Sequence, residues 1–158
     1  MPKPDMSLAV NVQITGTIDN SGALHATAAY SQGTTIPASS NVVDASGDIN
    51  LNNMNDSNNN YSNQTDITFM LSGTVTDQQG NSYAVEFPAP VSNAINIQQK
   101  GGGGNGQLTP SLNSGTQLFV DDADQDGQDY TYCLTIQADT ISANGEPTCS
   151  LDPRIINR

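Results

Sequence analysis

The feature that most restricts this chain is an alternation of apolar and polar residues that recurs along most of its length. It is clearest over residues 10–15, 67–71, 83–87 and 130–136. Because successive side chains of a β-strand point to opposite faces, a period of two gives each of these segments one apolar face. No stretch has the 3.6-residue period of an amphipathic helix. The chain is therefore predicted to be all-β.

Short turn sequences separate these segments at the spacing of hairpins. Residues 19–22 join the first strand to its return strand, and residues 78–81 do the same for a second pair. Gly73 interrupts its strand as a β-bulge would, and shorter strands are predicted at 94–97 and 118–120. Many short strands with turns between them predict an antiparallel β-sandwich, with a partly closed β-barrel as the alternative.

Two segments break this plan without dividing the chain. The length suits a single domain over residues 1–158. Residues 39–64 form an Asn- and Ser-rich insertion, which is expected to be an extended loop or a weak hairpin around Ile49 and Leu51. Residues 101–106 form a Gly-rich loop. It is not expected to bind phosphate, because Lys100 precedes the glycines and no helix follows them.

The charge balance restricts the partners of the chain. Sixteen acidic residues against four basic ones give a formal charge of −12, which repels phosphate backbones and anionic lipids. We therefore expect no nucleic-acid binding and no membrane insertion, and protein partners or self-association remain open. A composition poor in Lys and rich in Asn, Thr and Ser favours a secreted or cell-surface protein over a cytoplasmic one.

An acidic run before the strand at Tyr130 is the strongest local motif. Its core spells D-x-D-x-D-G, and oxygen ligands at alternate positions before a glycine suit a hard cation such as Ca²⁺. This is the first half of an EF-hand loop only, because Cys133 stands where the bidentate Glu would be. The hypothesis is a calcium loop between strands, and the alternative is a solvated acidic turn. The candidate ligands are Asp122, Asp124, Asp126, Gln128 and Asp129, with Asp121 as a further choice.

Two cysteines, Cys133 and Cys149, lie on either side of a short excursion of the chain. If the strand at Tyr130 turns and pairs with a strand at Thr148, the two side chains could lie opposite one another. A disulfide closing a loop of about 15 residues would stabilise the fold by roughly 3 kcal/mol in the chain-entropy model. A disulfide is therefore predicted, and the alternative is two small buried thiols.

The sequence has no signature of a metabolic enzyme. Its one histidine, His25, lies far along the chain from both cysteines. A two-histidine metal site is therefore excluded, and no Ser-His-Asp triad is predicted. No motif for an organic cofactor is present. Any reaction would be a single-turnover cleavage of the chain itself.

The Asp152-Pro153 pair near the C-terminus is where such a cleavage is expected. The Asp152 carboxyl can attack its own carbonyl with the advantage of proximity, and the tertiary amide nitrogen of Pro153 leaves well once protonated. Alternatively, a second carboxylate activates a water molecule. The candidates for that carboxylate are Asp139 and Glu146, which are near in sequence, and Asp129, which could reach across a strand.

The arrangement of an aromatic strand with Tyr130 and Tyr132, followed by Asp152-Pro153 and then by Ile155 and Asn157, resembles the DP-EP family. The resemblance covers about the last thirty residues. It implies a small bacterial β-sandwich protein that cleaves itself at the Asp-Pro bond and retains the tail, residues 153–158, as a bound strand. It also implies water activation by a second carboxylate. A non-enzymatic structural module, either a surface adhesin domain or a filament subunit, is the alternative function.

Overall fold

The computed structural model describes residues 1–100, 108–122, 129–140, 147–151 and 153–156. Strands account for 59% and helices for 5% of the structure, so the all-β prediction is confirmed. The helical part is a single 3-10 turn, Leu51–Asn53, and one short helix, α1, Val91–Ala94. The strands are β1 Met6–Ile18, β2 Leu24–Ile36, β3 Ile49–Asn50, β4 Thr65–Thr76, β5 Ser82–Glu86, β6 Ile95–Gln99, β7 Leu108–Ser114, β8 Gln117–Asp122, β9 Asp129–Ala138, β10 Thr148–Leu151 and β11 Arg154–Ile156.

The strands form a curled, half-barrel sheet of mixed direction. One group runs β2-β1-β4, and β4 continues to β8 and β7. The other group surrounds β9, which pairs with β6, β10 and β11, while β3 pairs with β11. Strand β5 belongs to both groups, because its first half pairs with β4 and its last two residues pair with β9.

The expected purely antiparallel pairing is wrong, because β4 runs parallel to β1 over its whole length and β11 runs parallel to β3. The connections explain the difference. Antiparallel neighbours follow from tight turns such as the one between β1 and β2, whereas a parallel neighbour needs a long crossover. Residues 37–64 supply that crossover and return the chain to the start of β1 before β4 begins.

One hydrophobic core contains buried side chains from both groups of strands. Alternate residues of β1 point into it, and β4, β8 and β9 follow the same pattern. The rings of Phe69 on β4 and Tyr132 on β9 touch at the centre, with centroids 5.2 Å apart. Each fully buried large apolar side chain contributes about 1.5–3 kcal/mol relative to an exposed one, so this face of the alternating pattern holds the fold together.

The same five-residue turn, D-x-x-G-x, begins at Asp19, Asp44 and Asp77, directly after β1, the Val43 bridge and β4. In each turn the Asp carboxylate accepts from the backbone N–H groups two and four residues later, at 2.9–3.0 Å. Each turn also has a glycine at its fourth position with φ near +85°, a conformation that costs glycine little. Three of the sixteen acidic residues therefore build turns.

Gly73 does not form the predicted bulge, because the β1–β4 register passes through it without a shift. Instead it lies where the other edge of β4 changes partner, from β8 up to Met70 to β5 from Thr74. Its φ is +116°, and a Cβ there would lie 2.1 Å from the Ile14 carbonyl oxygen. Only glycine allows the two chains to approach this closely.

The Asn- and Ser-rich segment is ordered around a small hairpin. Val43 bridges Ile49 across the turn that begins at Asp44, which matches the weak hairpin expected around Ile49. Leu51 and Met54 then bury their side chains almost completely. The polar residues of the segment face outward while these few apolar residues anchor it to the core. The Gly-rich loop at 101–106 lies outside the described residues.

Candidate functional site

The two described ends of the acidic run belong to different strands. Asp121 and Asp122 close β8, and Asp129 opens β9. Asp122 continues the inward face of β8 and is 1% exposed, whereas Asp121 points to the other face. The remaining predicted calcium ligands, Asp124, Asp126 and Gln128, lie outside the described residues. Among the residues that are described, no three His, Cys, Asp or Glu side chains come together as a metal site, so the calcium loop stays a prediction.

A pair of carboxylates that the sequence gave no reason to expect lies on β4 and β8. Asp66 pairs directly with Asp121 across the two strands. Burial raises the pKa of Asp66, and the negative charges of Asp121 and Asp5 and a hydrogen bond with Asp121 raise it further. The pairing could not be read from the sequence, because it depends on the register of two strands more than fifty residues apart.

The C-terminal segment runs along β9 in one continuous register. Strand β10 pairs with residues 134–137 of β9, and β11 pairs with residues 129–131. Pro153 lies between them with its side chain buried, and its carbonyl accepts a hydrogen bond of 3.0 Å from the backbone N–H of Tyr132. Asp152 lies outside the described residues.

The tail beyond Pro153 is held on both sides. Strand β11 lies between β9 and β3, and its Ile155 is fully buried opposite Tyr130 and Ile49. Pro153 has no backbone N–H, so the ladder with β9 lacks one hydrogen bond at this position. A proline inside a sheet is found mainly at edges, strand starts and bulges, which makes its place between two paired segments unusual.

The carboxylates predicted to assist cleavage are spread along β9. Asp129 lies three residues from Tyr132, or about 10 Å along the strand, and Asp139 lies seven residues away, or about 23 Å. Asp139 is exposed, and its backbone N–H donates to the Ala84 carbonyl. Glu146 lies outside the described residues. The structure therefore does not bring Asp129 and Asp139 together.

Two other carboxylates, Asp44 and Asp48, approach from the turn before β3. The buried Tyr132 hydroxyl donates to the Gly47 carbonyl in this turn. Burial raises the pKa of Tyr132, and the nearby Tyr30, Asp48 and Asp44 add to that effect. Tyr132 thus contacts Pro153 through its backbone and the turn through its hydroxyl. The D-x-x-G turn is visible in the sequence, but nothing local indicates that the tail passes beside it.

The predicted disulfide is wrong in this structure, where both cysteines are thiols. Cys149 pairs with Ile136 and so shares its core-facing side of the sheet, with its Sγ 3.7 Å from the Ala26 carbonyl oxygen. Cys133 lies between the buried Tyr132 and Leu134 and points to the opposite face. The strand pairing that was expected does form, but its register separates the two side chains.

His25 lies on the surface at the start of β2, where its Nε2 is 2.8 Å from Oδ2 of Asp19. Hydrogen bonds from Ser21, His25 and Ala23 hold the pKa of Asp19 well below its usual range. The described contacts of the histidine therefore tie it to this exposed turn. No helix within the described residues is long and apolar enough to cross a membrane.

Comparison with known proteins gives little further guidance. No family model matches the chain, and no curated protein matches it. Among solved structures, a crystal structure of an inclusion body protein (PixA) from Burkholderia cenocepacia J2315 has a TM-score of 0.43 and 10% sequence identity. The likeness covers 100% of this chain and 97% of that one. A likeness at this level assigns no function.

Proposed function

We propose that this protein cleaves its own chain between Asp152 and Pro153 and keeps the released tail as strand β11. The observation that carries the proposal is the placement of Pro153. It is buried at a ladder position that its missing N–H weakens, and the strand that follows it is buried between two neighbours. After scission, Ile155 and the pairing with β9 and β3 would retain the tail.

The reaction is a hydrolysis of one peptide bond. Water, or the Asp152 carboxyl followed by water, attacks the Asp152 carbonyl carbon, and the Pro153 nitrogen takes a proton and leaves as a secondary amine. The Tyr132 N–H holds the Pro153 carbonyl, so it fixes the leaving side of the bond. The fold therefore supplies positioning, and a denatured chain at neutral pH is expected to stay intact.

We assign the second carboxylate to Asp48. The parallel pairing of β11 with β3 places Ile155 beside Ile49. Pro153 and Gly47 each precede these residues by two positions in the chain, just ahead of the two strands. Both of these contact the same residue, Tyr132. Asp48 follows Gly47 directly, whereas Asp129 and Asp139 are separated from Tyr132 by lengths of β9.

The experiment compares three variants by mass spectrometry in denaturant after incubation at neutral pH. Pro153→Ala is expected to slow the loss of the tail peptide strongly, because its secondary amide nitrogen leaves less readily. Asp48→Asn is expected to slow it as well, and Asp139→Asn, a matched loss of charge at an exposed site, is expected to cleave at the wild-type rate. Equal rates in the Asp48 and Asp139 variants would overturn the assignment of Asp48 while leaving cleavage itself in place.

A non-enzymatic structural module is the second candidate, and one observation favours it. Strand β2 is 13 residues long and, among the described strands, pairs with β1 alone. A long open edge of this kind is the usual point at which one β-domain adds to another. Cleavage and assembly are compatible, because β2 and β11 lie at different places in the strand order.

We also propose that the two groups of strands act as the layers of a β-sandwich. The Phe69–Tyr132 contact supports this, since it joins the middle strands of the two groups across the core. Strand β5 closes one side by pairing with both groups. Nuclear Overhauser contacts between the two rings are the expected result in solution, and rings with no mutual contact would contradict the proposal.

A further inference from the structure

We infer that the protein forms a two-fold symmetric dimer in which strand β2 pairs antiparallel with β2 of a second copy. The occupant of the edge is thus another copy of this chain. The inference goes beyond self-cleavage and does not depend on it. It is carried by the charge, the length and the self-complementary side chains of β2.

Strand β2 carries no formal charge, unlike the chain as a whole. The chain carries sixteen acidic residues and a net charge of −12, so two copies repel each other over most of their surfaces. Strand β2, with the sequence LHATAAYSQGTTI, contains no Asp, Glu, Lys or Arg. Natural proteins usually protect an exposed edge with a charged side chain, a proline or a very short strand. None of these devices is present in β2, and its one shift of register with β1 falls between Gln32 and Thr35.

Two contacts among the described residues bound the central part of the β2 edge. At one end Cys149 Sγ lies 3.7 Å from the Ala26 carbonyl oxygen. At the other end the Gln32 side chain binds the Ser39 carbonyl and the Val42 N–H, each at 2.8 Å, and holds the following segment against the strand. Residues 27–31 lie between these two contacts. Five residues is the usual length of a strand in a sheet, and the pairing with β1 is regular throughout this run.

The exposed side chains of β2 are complementary to those of a second, antiparallel copy of β2. Thr27, Ala29 and Ser31 are exposed on one face of β2. On the β1 side, Thr27 already makes a hydroxyl contact with Thr15 at 3.3 Å, and Ser31 accepts from Asn11 at 3.4 Å. Antiparallel pairing about a two-fold axis at Ala29 places Thr27 opposite Ser31 of the second copy. Cross-strand Thr–Ser pairs of this kind are favourable, and the interface is isologous as a two-fold dimer requires.

The test uses one substitution at the centre of the edge and one matched control. Ala29→Lys places two lysines directly opposite each other in the dimer, where like charges repel. Gln13→Lys adds the same charge on the same face of the neighbouring strand, since Gln13 pairs with Ala29 within the chain. Both side chains are exposed, so both variants are expected to fold, and circular dichroism checks this.

Light scattering over a range of concentration and salt gives the readout. Wild type and Gln13→Lys are expected to reach twice the monomer mass of 16.6 kDa, and added salt is expected to strengthen the dimer by screening the net charge. Ala29→Lys and Ala29→Glu are each expected to stay monomeric, and an equal mixture of the two is expected to recover the dimer.

Three outcomes would overturn the inference. They are a wild-type protein that stays monomeric at millimolar concentration and high salt, a dimer that survives Ala29→Lys, and a mixture of the Lys and Glu variants that fails to associate. A monomeric wild type would mean that β2 does not pair with a second copy of this chain. Either of the other two outcomes would place any dimer interface elsewhere.

Discussion

At the scale of single residues, Tyr132 connects the parts of the molecule that matter most for the proposed cleavage. Its ring packs on Phe69, its backbone N–H holds Pro153, and its hydroxyl binds the Gly47 carbonyl in a turn 85 residues away in sequence. The alternating pattern predicted that Tyr132 faces the core. It could not predict the partner of the hydroxyl, because that depends on how residues 37–64 return to the sheet.

Removing that hydroxyl tests the connection. Tyr132→Phe leaves the buried Gly47 carbonyl without its donor, and the free energy of unfolding is expected to fall by about 1–3 kcal/mol. Urea denaturation followed by circular dichroism measures the change. Tyr83→Phe is the control, because its hydroxyl binds Asp77 at a partly exposed site where water can replace it, and a smaller loss is expected. Equal losses of unfolding free energy in both variants would show that the buried Tyr132 hydrogen bond stabilises the fold no more than the partly exposed Tyr83 one.

The Asp66–Asp121 pair makes a prediction about pH. The pKa of Asp66 is raised above its usual 3.8, so the folded protein binds a proton there more tightly than the unfolded chain does. The stability that this proton contributes is present at low pH and is lost as the pH rises from 3.8 through the raised pKa. At neutral pH the pair is therefore expected to destabilise the fold.

Asp66→Asn should accordingly stabilise the protein at pH 7, by roughly 0.2–1 kcal/mol if the pair behaves as other cross-strand pairs do. The gain should disappear below pH 3.8, where both forms are neutral. Thermal melts of the variant and of wild type at several pH values provide the measurement, with the exposed Asp139→Asn as the control. A loss of stability at pH 7 would contradict this account of the pair.

At the scale of elements, the sequence predicts the strands with alternating patterns, such as β1, β4 and β9, and also the shorter β6 and β8. The short β3 and β11 were not predicted as a pair, because two or three residues carry no period and depend on their neighbours for stability. The parallel pairing of β4 with β1 was not predicted for a related reason. Periodicity states which face is buried but not which strand lies alongside.

The loop between β8 and β9 has two interpretations. The calcium hypothesis uses Asp122, Asp124 and Asp126 as ligands. However, residues 124–128 also have the D-x-x-G-x spacing of the three turns described above, and that turn needs only Asp124 and Gly127. The two interpretations differ in the role of Asp126, which is a ligand in the first and has no required contact in the second.

A chelator experiment separates them. If the loop holds calcium, removing the ion is expected to lower Tm, with a loss of about 2.7 kcal/mol when calcium was present at a hundredfold excess over Kd. Both Asp124→Ala and Asp126→Ala should abolish that response. If Tm in calcium is the same with and without chelator, and Asp124→Ala alone destabilises the protein, the loop is a turn and the calcium hypothesis fails.

At the scale of the whole molecule, the strong negative charge and the β-architecture are linked. Asp caps each of the three D-x-x-G turns, so three of the sixteen acidic residues stabilise turns that a β-fold needs. The uncharged β2 is the surface where we infer that two copies meet at least cost. Composition alone indicated the sign of the charge. Its distribution became visible only with the turns and the strand order in place.

The central claim is that the chain is cut at Asp152–Pro153 while its tail remains in the sheet. The direct measurement is the mass of wild-type protein after days at neutral pH, recorded once under native conditions and once in denaturant. The account predicts a native mass that is one water per chain heavier than the uncut protein, and in denaturant each chain separates into residues 1–152 and the peptide Pro-Arg-Ile-Ile-Asn-Arg. A single full-length mass under both conditions would contradict it.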